Sequence, residues 1–475
     1  MSGGFNVFDV RDGLISDFSN YIRGFISIRD QRIRNTVELE FEKGLLWPDP
    51  LIQLNPSFKR GGHVTDLVDQ GLLHAECARV FRRKETQEDT GTPLRLYKHQ
   101  VDAIQAATTG GNYVLTTGTG SGKSLAYIIP IVDHVLKNGS GKGIQAIAVY
   151  PMNALANSQD EELRKFLCFG YPGGVGPVSF RRYTGQESRD EREEIQSNPP
   201  DILLTNYVML DLILTRRTER RLVDAAKGLR FLVLDELHTY RGRQGADVAM
   251  LVRRVREAVD GTQMQCVGTS ATMASEGDYD QQRARVAEVA GAIFGSPVLP
   301  DHVIGETLER VTPEEDVTAP AFVERLRSRL ASTDRTTPAS YLEFRNDPLS
   351  IWIESTLGVQ REPKSDRLIR AKPISITGPA GAALRLSKLT GVDVTGCTKA
   401  IEEQLAASYL PGNRQPDTGA ALRVSPAPVH QQGRYCVWVS GACRKALDYS
   451  SGPAVRPRKP VELSLPGGLL QGVWA

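Results

Sequence analysis

The chain has 475 residues, 24% of them charged and 40% hydrophobic, with a formal net charge of +2. This composition excludes a mainly disordered chain, and the length favours two to four domains of roughly 100–200 residues. No uncharged apolar run approaches the ~18 residues of a membrane span, and no secretory signal is visible. The six cysteines form no C-x-x-C pair. We therefore expect a cytoplasmic protein without membrane contact, disulfide framework or zinc site.

Residues 1–90 are predicted to form a mainly helical N-terminal accessory region. Apolar residues recur there at helical spacing, namely Phe18, Tyr21, Ile22 and Phe25, and the proline-rich stretch 46–56 interrupts the helical pattern. Residues 85–93 are polar and indicate a linker. No residue of this region shows chemistry, so a supporting role is expected for it.

Residues 91–297 change to short apolar runs that alternate with helical segments. The runs are 113–116, 144–150, 202–205, 231–234 and 265–269. Such alternation predicts an α/β fold, an open parallel sheet with helices on both faces. We further predict a helical insert or linker over 298–420 and a basic, irregular tail over 421–475.

A glycine-rich loop follows the first of these runs. Its sequence is Thr117-Gly-Thr-Gly-Ser-Gly-Lys-Ser124. Glycines let the backbone turn its N–H groups toward phosphate oxygens at the start of a helix, so this loop predicts nucleotide binding. Lys123 would reach the β- and γ-phosphates, and the Ser124 hydroxyl would bind Mg²⁺. The predicted nucleotide-binding residues are Thr117, Gly118, Thr119, Gly120, Ser121, Gly122, Lys123 and Ser124.

An acidic motif, Asp235-Glu236-Leu237-His238, follows the apolar run 231–234. A carboxylate at the end of a buried strand beside a phosphate loop can hold Mg²⁺, and the next carboxylate can position and deprotonate water. We therefore expect Asp235 to share the metal with Ser124, and Glu236 to act with Lys123 in catalysis. His238 is placed with this catalytic group in a coupling role.

Several shorter polar motifs gain meaning from their order along the chain. Gln100 precedes the loop, and its amide can pair with adenine, although an ordinary helix start would have the same sequence. Short polar residues at strand ends suit contacts to a nucleic-acid backbone, and the candidates are Asn153, Gln159, Thr184, Gly185, Thr205 and Asn206. Ser270 and Thr272 follow the last run and are expected to couple nucleotide state to the bound strand.

In this order, the motifs of residues 94–275 resemble the first motor lobe of superfamily 2, DExH-type (DEAD/DEAH-box) helicases. The strings at 46–56, 150–156 and 235–246 are similar to those of large bacterial DNA helicases of repair and phage-defence systems, the DISARM type and its Lhr-like and zinc-containing relatives. The resemblance implies a RecA-like lobe, ATP and Mg²⁺ as cofactors, and helicase or translocase activity. It also implies single-stranded or partly duplex DNA as substrate, with RNA left open by the motifs, and a repair or defence complex as partner.

The family resemblance also implies a second lobe that brings an arginine to the γ-phosphate. No matching string occurs in the sequence, because Gln431-Gln-Gly-Arg434 lacks the second arginine. Since such an arginine is worth about 10³–10⁵ in rate, this chain alone should bind ATP and hydrolyse it slowly. The alternative is a nucleotide-gated DNA-binding subunit without turnover that needs a partner lobe. A P-loop kinase or transporter is disfavoured, because it leaves 235–238 and 270–272 unexplained.

The tail suggests why that lobe is missing. From residue 421 it carries seven basic and two acidic residues and loses clear periodicity. Codons permitted for 422–433, read one base later, allow Phe-Ala-Phe-Arg-Leu-His-Gln-Phe-Ile-Ser-Lys-Gly, which is similar to the opening of the second lobe in this subgroup. The same shift at 470–475 allows Cys-Arg-Glu-Cys-Gly. We therefore expect the tail to be out of frame and the chain to be a truncated helicase.

Overall fold

The computed structural model places two compact units. The described residues are 7–25, 28–42, 51–118, 120–240, 242–271, 278–332, 338, 340–362, 366–410, 414–415, 419–420 and 422–425. The larger unit comprises Pro56–Glu314 and Val359–Arg370, and the smaller comprises Met1–Asn55, Glu315–Gly358 and Ala371–Ala475. Thr119, Thr272 and residues 426–475, which include most of the stretches assigned to a shifted frame, lie outside the described residues.

The helices of the described residues are, in chain order, α1 Val7–Phe25, α2 Gln31–Glu42, α3 Val64–Asp69, α4 Cys77–Val80, α5 Lys98–Thr108, α6 Leu125–Asn138, α7 Asn153–Leu167, α8 Arg189–Ser197, α9 Tyr207–Thr215, α10 Arg220–Ala225, α11 Gly242–Ala258, α12 Tyr279–Phe294, α13 Pro320–Ala331, α14 Tyr341–Asn346, α15 Pro348–Ile353, α16 Ala382–Thr390 and α17 Val394–Ala407. Short 3₁₀ turns lie at Pro172–Gly174, Arg217–Glu219 and Leu237–Thr239, and a π-helical turn lies at Glu354–Gly358.

The strands of the described residues are, in chain order, β1 Leu51–Asn55, β2 Ser57–Phe58, β3 Arg60–His63, β4 Arg82–Arg83, β5 Thr92–Pro93, β6 Arg95–Tyr97, β7 Asn112–Thr116, β8 Ala146–Tyr150, β9 Phe180–Arg182, β10 Ile202–Asn206, β11 Phe231–Leu234, β12 Gln265–Ser270, β13 Val298–Gly305, β14 Leu308–Glu309, β15 Val359–Arg361, β16 Leu368–Arg370, β17 Ile374–Ser375, β18 Arg414–Gln415, β19 Gly419–Ala420 and β20 Arg423–Ser425.

A seven-stranded sheet forms the centre of the larger unit, in the order β13-β7-β12-β11-β8-β10-β9. Every neighbouring pair in it is parallel. Successive side chains of a strand point to opposite faces, and along β11 Phe231 and Val233 join one apolar core while Leu232 and Leu234 join the other. Helices cover both cores, so the predicted α/β fold is confirmed.

The five predicted strands correspond to β7, β8, β10, β11 and β12, and the sheet has two more, β9 and β13. Both are edge strands. Edge strands are only half covered, so β9 carries two arginines and β13 exposes the middle of its length. Neither therefore shows the continuous apolar run that identifies the central strands.

The parallel arrangement determines where the predicted site residues lie. The carboxyl ends of parallel strands meet at one edge of the sheet, where open α/β folds bind their ligands. The phosphate loop follows β7, Asp235 follows β11, and Ser270 and Asn206 are the last residues of β12 and β10. All of these motifs therefore open at the same edge.

The smaller unit is mainly helical, with α1, α2 and α13–α17 and an antiparallel association of β1 with β17 and β20. This agrees with the predicted helical character of the N-terminal region and of much of 298–420. Within this unit, Arg329 Nε donates to Asp347 Oδ2 over 2.9 Å.

The domain boundaries at 90, 297 and 420 stay a prediction. Among the described residues, no helix combines the length and apolar character needed to cross a bilayer.

Candidate nucleotide and nucleic-acid site

The phosphate loop presents unbonded backbone N–H groups. Gly120 and Gly122 have φ values of +79° and +69°, a conformation that glycine adopts without steric cost. The amides of residues 120–124 donate no hydrogen bond to any described residue. Because α6 begins at Leu125, these amides also lie at the positive end of a helix. The loop is therefore a cradle for an anion such as a phosphate group.

The first residues of α5 contact the phosphate loop through hydrogen bonds. The hydroxyls of Thr117 and Ser121 are buried and 2.7 Å apart, and His99 Nε2 lies 2.9 Å from the Ser121 carbonyl oxygen. Gln100 Nε2 donates to the Gly122 carbonyl over 2.8 Å, and Gln100 Oε1 accepts from the Tyr97 amide. Both ends of the Gln100 amide are thus engaged within the protein, Nε2 with the loop and Oε1 with the start of α5 itself. Contact between Gln100 and adenine stays a prediction.

Lys123 and Glu236 form an ion pair across the site. Lys123 Nζ lies 3.3 Å from Glu236 Oε1, and both side chains are largely buried. Glu236 Oε2 lies 3.1 Å from His238 Nδ1, yet neither atom has a hydrogen-bond partner among the described residues. Glu236 also has a φ of +54°, which is unfavourable for a residue with a side chain. Strain and unsatisfied polar atoms of this kind concentrate at functional sites.

Asp235 is bound to the neighbouring strand β12. Its Oδ1 accepts from Thr269 Oγ1 over 2.5 Å, and the Glu236 amide donates to the same hydroxyl over 3.0 Å. Burial raises the pKa of the Asp235 carboxyl, and the bond from Thr269 opposes that shift. Thr269 was not among the predicted site residues; it directly precedes Ser270, which pairs with Thr116 in the ladder. Hydroxyls at the end of β12 thus connect to the acidic motif through Thr269.

Glu306 is a second site residue that the sequence analysis did not identify. It directly follows β13, and its Oε2 accepts from the Gly118 amide over 3.2 Å. Arg370, at the end of β16, donates from Nε to Oε1 over 2.6 Å and from Nη2 to Oε2 over 2.8 Å. Burial alone would raise the pKa of Glu306, but the bonds and charge of Arg370 outweigh it and lower that pKa. The only signal in the sequence is a short Val303-Ile304 run before the glutamate.

The donors at this edge fit Mg²⁺ that arrives with a nucleotide. No group of three or more metal-ligating carboxylate, histidine or cysteine side chains occurs among the described residues. Mg²⁺ usually keeps several waters and takes one or two carboxylates together with substrate phosphates. Asp235 and the Ser124 hydroxyl match that requirement, and the unsatisfied Glu236 Oε2 leaves an acceptor for water.

Four of the six residues predicted to contact nucleic acid line one surface cleft of about 380 Å³. The cleft is lined by Pro151, Met152, Asn153, Thr184, Gly185, Asn206, Tyr207, Val208, Met209 and Leu212. Asn206 organises it, since its Nδ2 donates to Asn153 Oδ1 over 2.6 Å and to the Thr184 carbonyl over 3.1 Å. Asn206 Oδ1 accepts from the Met209 amide and caps α9.

Most of the remaining polar groups of this region bond to other groups of the protein. Glu187 accepts from the Thr184 and Gly185 amides over 2.8 and 2.9 Å, so those N–H groups support the loop. The Thr205 hydroxyl is buried and donates to the Tyr183 carbonyl over 2.7 Å. Gln159 Oε1 is buried without a hydrogen-bond partner among the described residues. Asn153, Asn206 and the Thr184–Gly185 loop surface are thus the groups that the structure brings together.

Comparison with known proteins matches residues 97–278 to the model of the DEAD/DEAH box helicase family. The Druantia protein DruE of Escherichia coli (strain UMEA 4076-1) is 26% identical over 391 residues, which cover 58% of this chain and 21% of DruE. The uncharacterized ATP-dependent helicase YprA of Bacillus subtilis is 33% identical over 190 residues, which cover 39% of this chain and 24% of YprA. The ATP-dependent helicase hrq1 of Schizosaccharomyces pombe is 32% identical over 182 residues, which cover 38% of this chain and 16% of hrq1.

Among solved structures, the chain is similar to the DUF1998 helicase MrfA bound to DNA, with 22% identity, a TM-score of 0.41, and coverage of 59% of this chain and 35% of that one. The matches to the three curated relatives span a quarter or less of each relative's length. The matched residues, 97–278, hold the phosphate loop, the acidic motif and the cleft. The chain therefore contains, over these residues, a DEAD/DEAH box helicase domain.

Proposed function

We propose that the larger unit is the first motor lobe of an ATP-dependent DNA helicase or translocase. In this proposal ATP and Mg²⁺ bind at residues 117–124, and a single DNA strand binds along the cleft. The observation that carries the proposal is the row of unbonded amides at 120–124 beside the Lys123–Glu236 pair. An anion cradle with a lysine and a carboxylate suits phosphoryl transfer to water, whose catalysis depends on positioning and charge stabilisation.

Each residue of the site has a role in that chemistry. The amides of 120–124 orient the β- and γ-phosphates. Lys123 leaves its ion pair with Glu236 and binds those phosphates instead. Glu236, released from the ion pair, holds the attacking water and takes its proton, and His238 Nδ1 stands 3.1 Å from the same carboxylate. Asp235 and Ser124 would hold Mg²⁺, which neutralises charge that develops on the phosphate oxygens. Ser270 and Thr272 would couple the change in nucleotide state to the bound DNA strand.

The choice of DNA rests on the resemblance of residues 150–156 and 235–246 to bacterial DNA helicases. We extend the proposal on the same basis to single-stranded or partly duplex DNA, to a cytoplasmic location, and to assembly in a repair or phage-defence complex. The short polar side chains that line the cleft suit backbone contacts, which position a strand without selecting its sequence. We expect slow ATP turnover by the 475-residue chain and faster turnover when a partner supplies an arginine to the γ-phosphate.

Two variants of the ion pair test this function. K123A removes the phosphate-binding amine, so ATP affinity should fall by about 10-fold or more, as expected for a charge-assisted contact. E236Q keeps a hydrogen-bonding side chain but removes the base, so ATP should bind as in wild type while turnover falls about 10²–10⁴-fold. Binding is measured with a fluorescent ATP analogue, and hydrolysis is measured with and without single-stranded DNA.

K165A is the matched control, because Lys165 pairs on the surface with Glu162. It should leave binding and turnover unchanged. Unchanged ATP binding by K123A would contradict the proposed nucleotide site. Intact ATP binding with no ADP formed by wild type, even with DNA present, would assign the chain instead to a nucleotide-gated binding subunit without turnover.

A further inference from the structure

Four exposed arginines follow α9 within six residues, and they are Arg216, Arg217, Arg220 and Arg221. Arg220 Nε is 3.9 Å from Asp224 Oδ2, a loose contact between exposed side chains. The guanidinium groups of the other three form no hydrogen bond or ion pair with any described residue. This arginine cluster is therefore a surface of positive charge that the described part of the chain leaves nearly unneutralised.

The arginine cluster is continuous with the cleft. The cap of α9, Asn206, lies in the cleft, and Leu212 of α9 is one of the lining residues. The Arg216 amide donates to the Leu212 carbonyl over 2.9 Å, so the cluster begins one helical turn beyond the lining. One turn corresponds to a rise of about 5.4 Å. A strand that leaves the cleft along α9 passes the arginines next.

A buried glutamate fixes the cluster to the wall of the cleft. Glu219 stands among the arginines but is only 3% exposed. It accepts hydrogen bonds from the Tyr183 hydroxyl and from Gln196 Nε2, the latter over 2.7 Å. Tyr183 directly precedes the cleft residues Thr184 and Gly185. The one acidic side chain of this stretch thus anchors its backbone instead of neutralising the arginines, and ligand binding need not order the segment.

We propose that the arginine cluster is a second phosphate-contact surface, which holds the DNA backbone beyond the nucleotides seated in the cleft. The inference rests on the proposed DNA binding and extends it to a named set of residues. Guanidinium groups bind phosphate in a bidentate manner, and phosphate contacts need no base recognition. Since the chain carries a net charge of only +2, its affinity for DNA depends on placed groups such as these.

The test compares R216Q/R217Q with R83Q/R285Q, which removes the same charge elsewhere. Arg83 is exposed on β4, and Arg285 forms a surface pair with Glu288 on α12. Fluorescence anisotropy measures binding of the 475-residue chain to single strands of about 8 and about 20 nucleotides at several salt concentrations. R216Q/R217Q should bind the longer strand about 10-fold more weakly, with a salt slope lower by about 1.4, because each single-strand phosphate contact contributes about 0.7.

The shorter strand should lose less affinity for R216Q/R217Q than the longer strand does, because fewer of its phosphates reach the arginines while it keeps its contacts to the cleft. R83Q/R285Q should bind both strands as wild type does. If wild type binds neither strand, the proposed function itself fails. If wild type binds and the two double variants behave alike, or if R216Q/R217Q weakens both strands equally, the cluster is not an extension of the cleft. Reduced binding of polyglutamate with unchanged DNA binding would assign the surface to an acidic protein and overturn the inference.

Discussion

Glu306 accepts two hydrogen bonds from the guanidinium of Arg370 and a third from the Gly118 amide, so one carboxylate connects the hairpin of β15 and β16 to the phosphate loop. Both side chains are largely buried. A Cβ on residue 118 would lie 2.9 Å from Arg370 Nη2, so a larger residue there would require the guanidinium to shift. The first turn of the loop is therefore shaped by Glu306, 188 positions further along the chain, together with Arg370 beyond it.

Replacing Arg370 with methionine should loosen this turn. R370M leaves Glu306 buried without its cation, a change that typically costs about 3–5 kcal/mol of folding stability. We also expect about 10-fold weaker ATP binding, because the loop amides lose their fixed positions. Thermal melting and fluorescent-nucleotide titration measure the two effects.

R361M is the control for that experiment. Arg361 lies on the same hairpin but pairs in solvent with Glu314 and Asp366, and exposed pairs contribute little to folding stability. The charge-neutral double variant R370M/E306Q should recover stability relative to R370M without recovering ATP affinity. Nucleotide affinity of R370M equal to that of R361M would show that the pair does not position the loop.

Asp235 should make the nucleotide-free protein less stable at neutral pH than a neutral side chain would. Burial raises its pKa, so the ionised carboxylate, present above that pKa, is disfavoured in the folded state. D235N keeps an acceptor for Thr269 but removes the charge. Its melting temperature should exceed that of wild type by about 2–4 °C near about pH 8, the shift that about 1 kcal/mol makes in a domain of this size.

That advantage should shrink as the pH falls through the raised pKa of folded Asp235, because the folded wild type takes up a proton there while the unfolded chain stays ionised. D280N, a change at an exposed aspartate, should show no such pH-dependent gain. If the difference in melting temperature between D235N and wild type does not depend on pH, the charge of Asp235 does not destabilise the folded state. The gain in stability should accompany a loss of Mg²⁺-dependent ATP hydrolysis.

The sequence predicts those parts of the molecule in which local pattern and motif order coincide. The central strands β8, β10 and β11 are buried on both faces, so their apolar runs are visible without a structure. The phosphate loop and Asp235–His238 are contiguous strings whose chemistry depends on residue type. Their common edge then follows from the parallel sheet.

Contacts between distant segments could not be predicted in the same way. Nothing near Glu306 indicates that Arg370 reaches it, because a hairpin from a later part of the chain provides the arginine. The Gln100 amide suits adenine and a loop carbonyl equally well, and only the fold shows that Gly122 takes it. Glu187 likewise occupies amides at Thr184 and Gly185 that residue type alone would leave to a phosphate.

Asn206 carries two separable functions, since Oδ1 caps α9 while Nδ2 bonds to Asn153 and the Thr184 carbonyl. N206A should lose both functions and about 1 kcal/mol of stability, the usual cost of a lost cap. N206S retains a capping hydroxyl but is too short to hold Asn153, so we expect near-wild-type melting together with DNA binding as weak as that of N206A, about 5–10-fold below wild type.

The capping residue Ser188, which accepts from the Glu191 amide at the start of α8, provides the reverse control for this prediction. S188A should lower the melting temperature without weakening DNA binding, because Ser188 does not line the cleft. Anisotropy with a single strand of about 8 nucleotides measures binding. If N206S binds that strand as tightly as wild type, Asn206 contributes only its cap, and the alignment of Asn153 with Thr184 does not hold the strand.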